Sequence, residues 1–133
     1  MRMEEEIFRV SRNEIRANAL KEMALERFDD IRNEKKPYKI VEEYYEIIKE
    51  LITALMYTGG LKTLSHKALI YYLEKNYEEF TKQEIILIDE LRKLRNDIAY
   101  YGKKVSEDFL INNESLMKVI IKKLIKILNN KIK

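Results

Sequence analysis

The sequence contains no cysteine and no tryptophan, only one histidine and one proline, and three glycines. The lack of cysteine excludes a disulfide framework, a thiolate zinc site and a cysteine nucleophile. A single histidine excludes the usual metal sites that draw several histidines from one chain, and we expect no metal and no cofactor. Turns in sheet-rich folds consume glycine and proline. These absences predict an all-α protein.

Long apolar runs are also missing. No stretch approaches the roughly 20 apolar residues that a membrane-spanning helix needs, and the acidic amino-terminal sequence MRMEEEIFRV lacks the apolar core of a secretion signal. We therefore expect a soluble cytoplasmic protein with no membrane partner. Abundant Lys, Glu and Ile beside a single Gln are typical of thermophile proteins, although an AT-rich genome produces much of the same composition.

The chain does contain 46% apolar and 37% charged residues in 133 positions, which predicts one globular domain over residues 1–133. Its net charge is only +3, so the chain as a whole is not a polycation. Residues 115–133, however, hold six lysines and no acidic residue. The carboxyl-terminal segment is therefore a local basic patch.

Apolar residues recur at helical spacing in five segments. The predicted helices cover about residues 4–32, 38–58, 63–76 (or 65–76), 81–102 and 114–130, with a break at 112–113 before the last. Pro37 separates the first two, Thr81 and Glu84 form a capping box, and Gly102 ends the fourth. Short connections make neighbouring helices antiparallel. The sequence predicts an up-and-down bundle of four long helices plus one or two short helices.

The last predicted helix is apolar on more than one face, whereas one stripe suffices to pack a helix onto a bundle. The apolar residues are Leu116, Val119, Ile120, Ile121, Leu124, Ile125, Ile127 and Leu128. The excess predicts a homodimer. The alternative is a monomer whose last helix is deeply buried.

The segment LRKLRNDIAYYG, residues 91–102, places a polar cluster, Arg95-Asn96-Asp97, near the end of an otherwise aliphatic helix. Two tyrosines and a glycine follow. In the simplest interpretation the cluster is a solvated helix end. Lys93 would then pair with Asp97 one turn later, and Asn96 would bond backbone carbonyls near the helix end.

The part RNDIAYYG resembles the signature of the HEPN superfamily of small helical bundles, in which a polar residue follows an arginine and a histidine comes a few residues later. The segment GGLKTLSHKALIYYL, residues 59–73, is similar to the loop and short helix of those proteins. Together with the helix order, the resemblance extends from the first helix to Gly102. It matches Arg95 to the motif arginine and Asn96 to the polar residue after it, while Tyr100 occupies the position of the histidine.

Catalytic members of that superfamily are metal-independent ribonucleases that act as dimers, with two motifs meeting at the subunit interface. The resemblance implies that Arg95 holds the scissile phosphate and that Tyr100 replaces the group that assists attack by the ribose 2′-hydroxyl. Tyrosine has a pKa of about 10 in model peptides, so it is a poor proton acceptor. Steps of 100° per residue also separate Arg95 and Tyr100 by about 140° on a straight helix. A composite site would need two chains or an unwound helix end.

His66 is a second candidate for proton transfer, because a neutral imidazole accepts a proton near pH 7. The alternative is that it caps a helix or packs on a tyrosine. The tyrosine pairs 44–45, 71–72 and 100–101 offer a stacking platform for single-stranded nucleic acid. Adjacent helical residues point about 100° apart, so we favour one ring of each pair in the core and the other at a surface.

Lys118, Lys122 and Lys126 form a ridge at four-residue spacing, with Lys123 beside it. Such a ridge would contact the phosphates of RNA or an acidic partner. The alternatives are a plain solubilising face or, less favoured, an amphipathic helix on a membrane surface.

Three function hypotheses follow. The first is a HEPN-like homodimer that binds a partner protein, a nucleotide or RNA without cutting it; relatives in that superfamily often neighbour a small nucleotidyltransferase, which the resemblance implies as partner. The second is a toxin-type, metal-independent ribonuclease with a composite site at the dimer interface, built from Arg95 and Asn96 with Tyr100 or His66. The third is a helical assembly protein without a site.

Overall fold

The protein is an all-α bundle, as predicted. The computed structural model describes residues 2–132, which form five α-helices. Their bounds are α1 Glu14–Asp30, α2 Pro37–Thr58, α3 His66–Asn76, α4 Lys82–Tyr101 and α5 Glu107–Lys131. Four are long and α3 is short, and short 3-10 turns lie at Met3–Glu6 and Ile31–Asn33. No helix within residues 2–132 is both long and apolar enough to cross a membrane.

Helix α2 is the centre of the bundle and contacts α1, α4 and α5. It begins at Pro37, whose missing N–H costs nothing in the first turn. A helix that is apolar around most of its circumference must be covered on all sides. The residues of α2 that are at most 1% exposed are Val41, Tyr44, Tyr45, Ile47, Ile48, Leu51, Ile52, Ala54, Leu55 and Met56.

The prediction of a first helix from about residue 4 is wrong at its start. Ile7–Arg9 forms strand β1, which pairs antiparallel with strand β2, Leu61–Thr63. Helix α1 begins only at Glu14, where the side chain of Asn13 accepts a hydrogen bond from the N–H of Arg16. Helical spacing of apolar residues is a local signal. It could not reveal a strand partner that lies more than fifty residues away.

The buried face of α1 is formed largely by small residues. Ile15 is 86% exposed and Met23 is 47% exposed, whereas Ala17 and Ala24 are buried against the core. Helix packing distance depends on the side chains at the contact. Small alanines therefore bring α1 close to α2, and the large side chains flank the contact.

Gly60 joins the end of α2 to the two-stranded sheet. Its φ is +71°, and a Cβ at this position would lie 2.9 Å from the carbonyl oxygen of Val10. Only glycine adopts this backbone at no steric cost. The N–H of Val10 donates to the carbonyl of Gly60 over 2.9 Å. The glycine turn thus fastens the amino-terminal segment to β2.

The predicted caps of α4 are confirmed. The N–H of Glu84 donates to Thr81 Oγ1 over 3.1 Å, and the N–H of Thr81 donates to Glu84 Oε1 over 2.8 Å. Gly102 ends the helix in the left-handed region, with φ +63°. The predicted break at residues 112–113 is wrong. The side chain of Asn113 donates to the carbonyl of Phe109 over 2.8 Å, and α5 continues unbroken from Glu107.

Candidate functional site

Arg95 and Tyr100 lie in different surroundings. Arg95 is directed toward α2, where its Nη2 lies 3.8 Å from Glu46 Oε1. Tyr100 is 73% exposed at the end of α4. Asn96, the second residue of the motif, is half-buried beside them. Within the residues that the structure describes, Arg95 and Tyr100 share no hydrogen bond, in agreement with the divergence expected from their spacing.

The ion pair predicted for the simple helix end is wrong. Lys93 Nζ lies 3.3 Å from Asp89 Oδ2, one turn earlier, rather than beside Asp97. Asp97 instead lies 3.8 Å from Lys103 Nζ, beyond the glycine cap. The chain reverses at Gly102, and this reversal brings the loop lysine back to α4.

Arg95 opens onto a cavity of about 550 Å³ beside the first half of α2. This cavity is lined by five carboxylate residues and two cationic ones. The acidic residues are Asp30, Glu34, Glu42, Glu43 and Glu46, and the cationic residues are Lys39 and Arg95. We call it the acidic groove. Carboxylates this close repel a phosphate, so the isolated protomer offers Arg95 to an anion only at an electrostatic cost.

One of these carboxylates, Glu43, holds α1 against α2 together with Glu50, which lies outside the groove. Arg27 of α1 reaches Glu43 Oε1 over 3.1 Å and Glu50 Oε1 over 2.8 Å. Glu50 is only 6% exposed, and burial raises the pKa of its carboxyl while Arg27 opposes that rise. Glu46 also pairs with Lys49 over 2.8 Å. The charges of the acidic groove therefore serve helix packing as well as any ligand.

His66 begins α3 and packs on a tyrosine, as one of the two sequence interpretations predicts. Its Nδ1 lies 3.0 Å from the hydroxyl oxygen of Tyr45, and the ring centroids are 5.7 Å apart. Burial lowers the pKa of His66, and the positive charges of Lys49 and Arg95 lower it further. Burial raises the pKa of Tyr45 to about 12. Ser65, not His66, caps α3 through its hydroxyl.

The structure brings His66 and Arg95 into one charged neighbourhood, although they lie on different helices. Glu46 contributes to both the acidic groove and a second cavity of about 380 Å³ that His66 and Lys49 also line. Glu46 could not be identified from the sequence, because residues 41–50 contain four glutamates that the sequence alone does not distinguish. Nothing in the spacing singles out the one that faces Arg95.

The prediction of one buried and one exposed ring per tyrosine pair holds for residues 71–72 alone. Tyr44 and Tyr45 are both buried, because α2 is covered on every side. The hydroxyl of Tyr44 donates to Glu114 Oε2 over 2.6 Å. Tyr100 and Tyr101 are 73% and 83% exposed, because α4 extends past the core at its end. Only this last pair is free to stack on a base.

Lys118, Lys122 and Lys126 are exposed along α5, as predicted for the ridge. Lys123 is not available for ligand binding together with these three lysines. Its Nζ donates to Glu84 Oε1 over 2.7 Å and to the carbonyl of Glu79 over 2.8 Å. The fourth lysine therefore joins α5 to the start of α4.

A third cavity, of about 530 Å³, lies between the start of α2 and the loop from α4 to α5. Its lining contains three lysines and no carboxylate: Lys36, Pro37, Tyr38, Ile98, Gly102, Lys103, Lys104 and Val105. We call it the basic pocket. Sequence reasoning missed it because Pro37 and Gly102 were interpreted only as helix breaks. The lysines beside each break were the available signal.

Within residues 2–132, no group of three or more His, Asp or Glu side chains is arranged to hold a metal ion. The comparisons with known proteins are negative: no protein-family model matches the chain, and none of the curated proteins does.

Proposed function

We propose that this chain is a HEPN-like, homodimeric interaction module that binds single-stranded RNA without cutting it. The observation that supports it best is the exposed end of α4. Tyr100 and Tyr101 are 73% and 83% exposed, and Lys103 and Lys104 follow within three residues. Aromatic rings that stack on bases beside cations that meet phosphates are the usual elements of single-strand binding. We call this segment, residues 100–104, the YYGKK segment.

The lysine ridge of α5 is a second exposed basic surface available for this proposal. Lys118, Lys122 and Lys126 are exposed at one face, with no acidic side chain among residues 115–133. Phosphate contacts of this kind are independent of base sequence and weaken with salt. The proposed RNA specificity is therefore low.

The absence of cleavage in this proposal rests on Arg95 and Tyr100. Glu46 and four other carboxylates surround the arginine, which opposes phosphate binding there. Tyrosine replaces the histidine of the superfamily signature, and a phenol is a poor proton acceptor at neutral pH. In this proposal the motif supports the fold and the partner contact rather than chemistry.

The homodimer is proposed from the apolar surplus of α5. Of the eight apolar residues behind that prediction, Ile120, Ile121, Leu124 and Leu128 are buried, Leu116, Ile125 and Ile127 are partly buried against the core, and Val119 is 43% exposed. Most of the surplus is therefore used within one protomer, as the alternative of a deeply buried last helix predicts, and Val119 with Ile111, which is 75% exposed, remains for a second subunit. A nucleotidyltransferase partner and a toxin–antitoxin setting follow from the HEPN resemblance alone.

One observation favours the ribonuclease as a second candidate. Glu46 lies 3.8 Å from Arg95 and lines the cavity that His66 also lines, so the arginine of the motif and the imidazole lie beside the same carboxylate within one protomer. In this alternative His66 takes the role of the motif histidine. Its hydrogen bond to Tyr45 would orient the ring.

The deciding experiment incubates a short single-stranded RNA with the protein in EDTA and measures both binding and chain length. We expect intact RNA and binding that weakens with salt. The double variant Tyr100→Ala/Tyr101→Ala should lose about tenfold or more in affinity, because two stacking rings are removed. Exposed Ile86→Ala on the same helix is the matched control and should bind as the wild type does.

Arg95→Ala and His66→Asn separate the two candidates in the same assay. The binding module predicts intact RNA with all proteins. Cleavage by the wild type that both substitutions abolish would establish the ribonuclease and overturn the non-catalytic proposal. Affinity for RNA that is unchanged by the tyrosine substitutions would overturn the stacking surface.

A further inference from the structure

The HEPN-like motif segment contributes to two cavities of opposite charge. Arg95 lines the acidic groove, whereas Ile98 and Gly102, four residues apart on one side of α4, line the basic pocket. Residues at this spacing lie on one face of a helix. The same segment that resembles a catalytic signature thus forms the wall of a pocket unrelated to the signature residues.

The basic pocket combines an apolar wall with uncompensated positive charge. Pro37, Ile98 and Val105 supply apolar surface, and Tyr38 is 37% exposed at the rim. Its volume of about 530 Å³ lies within the range of small-molecule sites. A ligand that fills it must therefore carry a flat or apolar part.

The lysines of the pocket are available for an anion. Within residues 2–132, no carboxylate lies within ion-pair distance of Lys36 or Lys104. Lys103 lies 3.8 Å from Asp97, but both side chains are about half exposed, and such pairs contribute little. Three ammonium groups around one cavity favour a phosphate, which Lys binds as a point charge.

The start of α2 adds to this positive potential. No side chain caps its first turn and no acidic residue lies in it, so the positive end of the helix dipole is uncompensated beside Lys36. This feature is secondary to the three lysines, and it acts in the same direction. No carboxylate of the lining opposes it.

We propose that the basic pocket binds a nucleoside monophosphate, with the base against Tyr38 and the apolar wall and the phosphate among Lys36, Lys103 and Lys104. A phosphate alone leaves the apolar wall unfilled, and a nucleoside alone leaves the lysines uncompensated. The ligand that satisfies both parts has a planar ring attached to a phosphate. The pocket shares only Lys103 and Lys104 with the YYGKK segment, so it is a small-molecule site beyond the proposed RNA surface.

The test is a calorimetric titration of the whole chain with three probes: adenosine 5′-monophosphate, adenosine and inorganic phosphate. We expect the monophosphate to bind about tenfold or more tightly than either fragment. Equal affinity for the monophosphate and inorganic phosphate would overturn the role of the ring. No heat of binding with the monophosphate would overturn the site.

Amino-acid substitutions test whether the monophosphate binds in this pocket. Tyr38→Ala should weaken the monophosphate about tenfold, while Tyr38→Phe, which keeps the ring, should bind as the wild type does. The double variant Lys36→Ala/Lys104→Ala should weaken it about threefold or more, and the double variant Lys82→Ala/Lys93→Ala, with the same charge change at exposed positions of α4 outside the pocket, should not. Because Lys36 and Lys104 are exposed, their substitution tests the site even where Tyr38→Ala impairs folding. Equal losses in both lysine variants would overturn the assignment.

The RNA assay with Tyr100→Ala/Tyr101→Ala keeps the two proposals separate, because neither tyrosine lines the pocket. RNA binding without monophosphate binding contradicts the pocket alone. Monophosphate binding without RNA binding contradicts the RNA surface alone.

Discussion

The acidic groove and the basic pocket both border the first half of α2, and they differ in how their charges are used. Beside the acidic groove, Arg27 of α1 pairs with Glu43 of the groove and with the buried Glu50, and Glu46 pairs with Lys49 of its own helix. In the basic pocket, Lys36 and Lys104 have no such partner within residues 2–132. A charged side chain that already forms an ion pair within the fold is a poor candidate for ligand binding. A charged side chain without such a partner is a good candidate. This comparison directs the functional hypothesis away from Arg95 and toward Lys36 and Lys104.

The largest expected effect is at the ion pairs of Arg27, beside the acidic groove. Arg27→Ala leaves Glu50 buried without its partner, and an uncompensated buried charge is costly. Because Arg27 is itself 35% exposed, we expect a loss of about 2 kcal/mol in the free energy of unfolding, below the full cost of breaking a buried pair. Urea denaturation followed by circular dichroism measures it.

The matched control in the basic pocket is the double variant Lys103→Ala/Lys104→Ala, which should leave the free energy of unfolding unchanged. A destabilisation equal to that of Arg27→Ala would mean that the pocket lysines also serve folding. The contrast between the two cavities would then be wrong.

A smaller effect is expected from Glu46→Gln, which removes the carboxylate nearest to Arg95. With less repulsion in the groove, RNA affinity at low salt should rise about threefold. One additional phosphate contact should steepen the salt dependence of a single strand by about 0.7 in logarithmic slope. Filter binding across a salt series measures both. The control is Glu90→Gln, which changes an exposed glutamate on α4 outside the groove. An equal rise in RNA affinity in this variant would mean that the effect comes from the change in net charge alone.

The smallest effect concerns His66, the single imidazole of the chain, which proton NMR follows without assignment. Its pKa should lie below its ordinary value of 6.5 because of burial and the charges of Lys49 and Arg95. Arg95→Ala should raise that pKa, while Lys93→Ala, an exposed cation on the same helix, should not. An unchanged pKa in Arg95→Ala would contradict the shared neighbourhood.

The pH dependence of the free energy of unfolding follows from the same lowering of the pKa of His66. The folded state binds a proton at His66 less readily than the unfolded state does. Stability therefore rises with pH through the window just below 6.5 and is lost as the pH falls through it. His66→Asn should flatten this part of the profile of unfolding free energy against pH.

Much of the fold could be predicted from local signals. Pro37, the capping box of Thr81 and Glu84, and Gly102 act through backbone geometry within a few residues, so they place α2 and α4 correctly. Strand β1 could not be predicted, because its hydrogen bonds go to β2 in a distant part of the chain. The alanine face of α1 was missed for a related reason. Small residues carry little hydrophobic signal, yet they allow close packing.

For the candidate site, the sequence by itself determined the residue types: an arginine-polar pair, two tyrosines before a glycine, lysines at helical spacing, and the absence of a thiol or a set of histidines. The tertiary structure decided their surroundings. It placed Glu46 against Arg95, brought His66 near Glu46, and placed Tyr38 beside lysines from two loops. The physical reason is that electrostatic environment depends on distance and burial, and for groups on different helices both are fixed only when the helices pack.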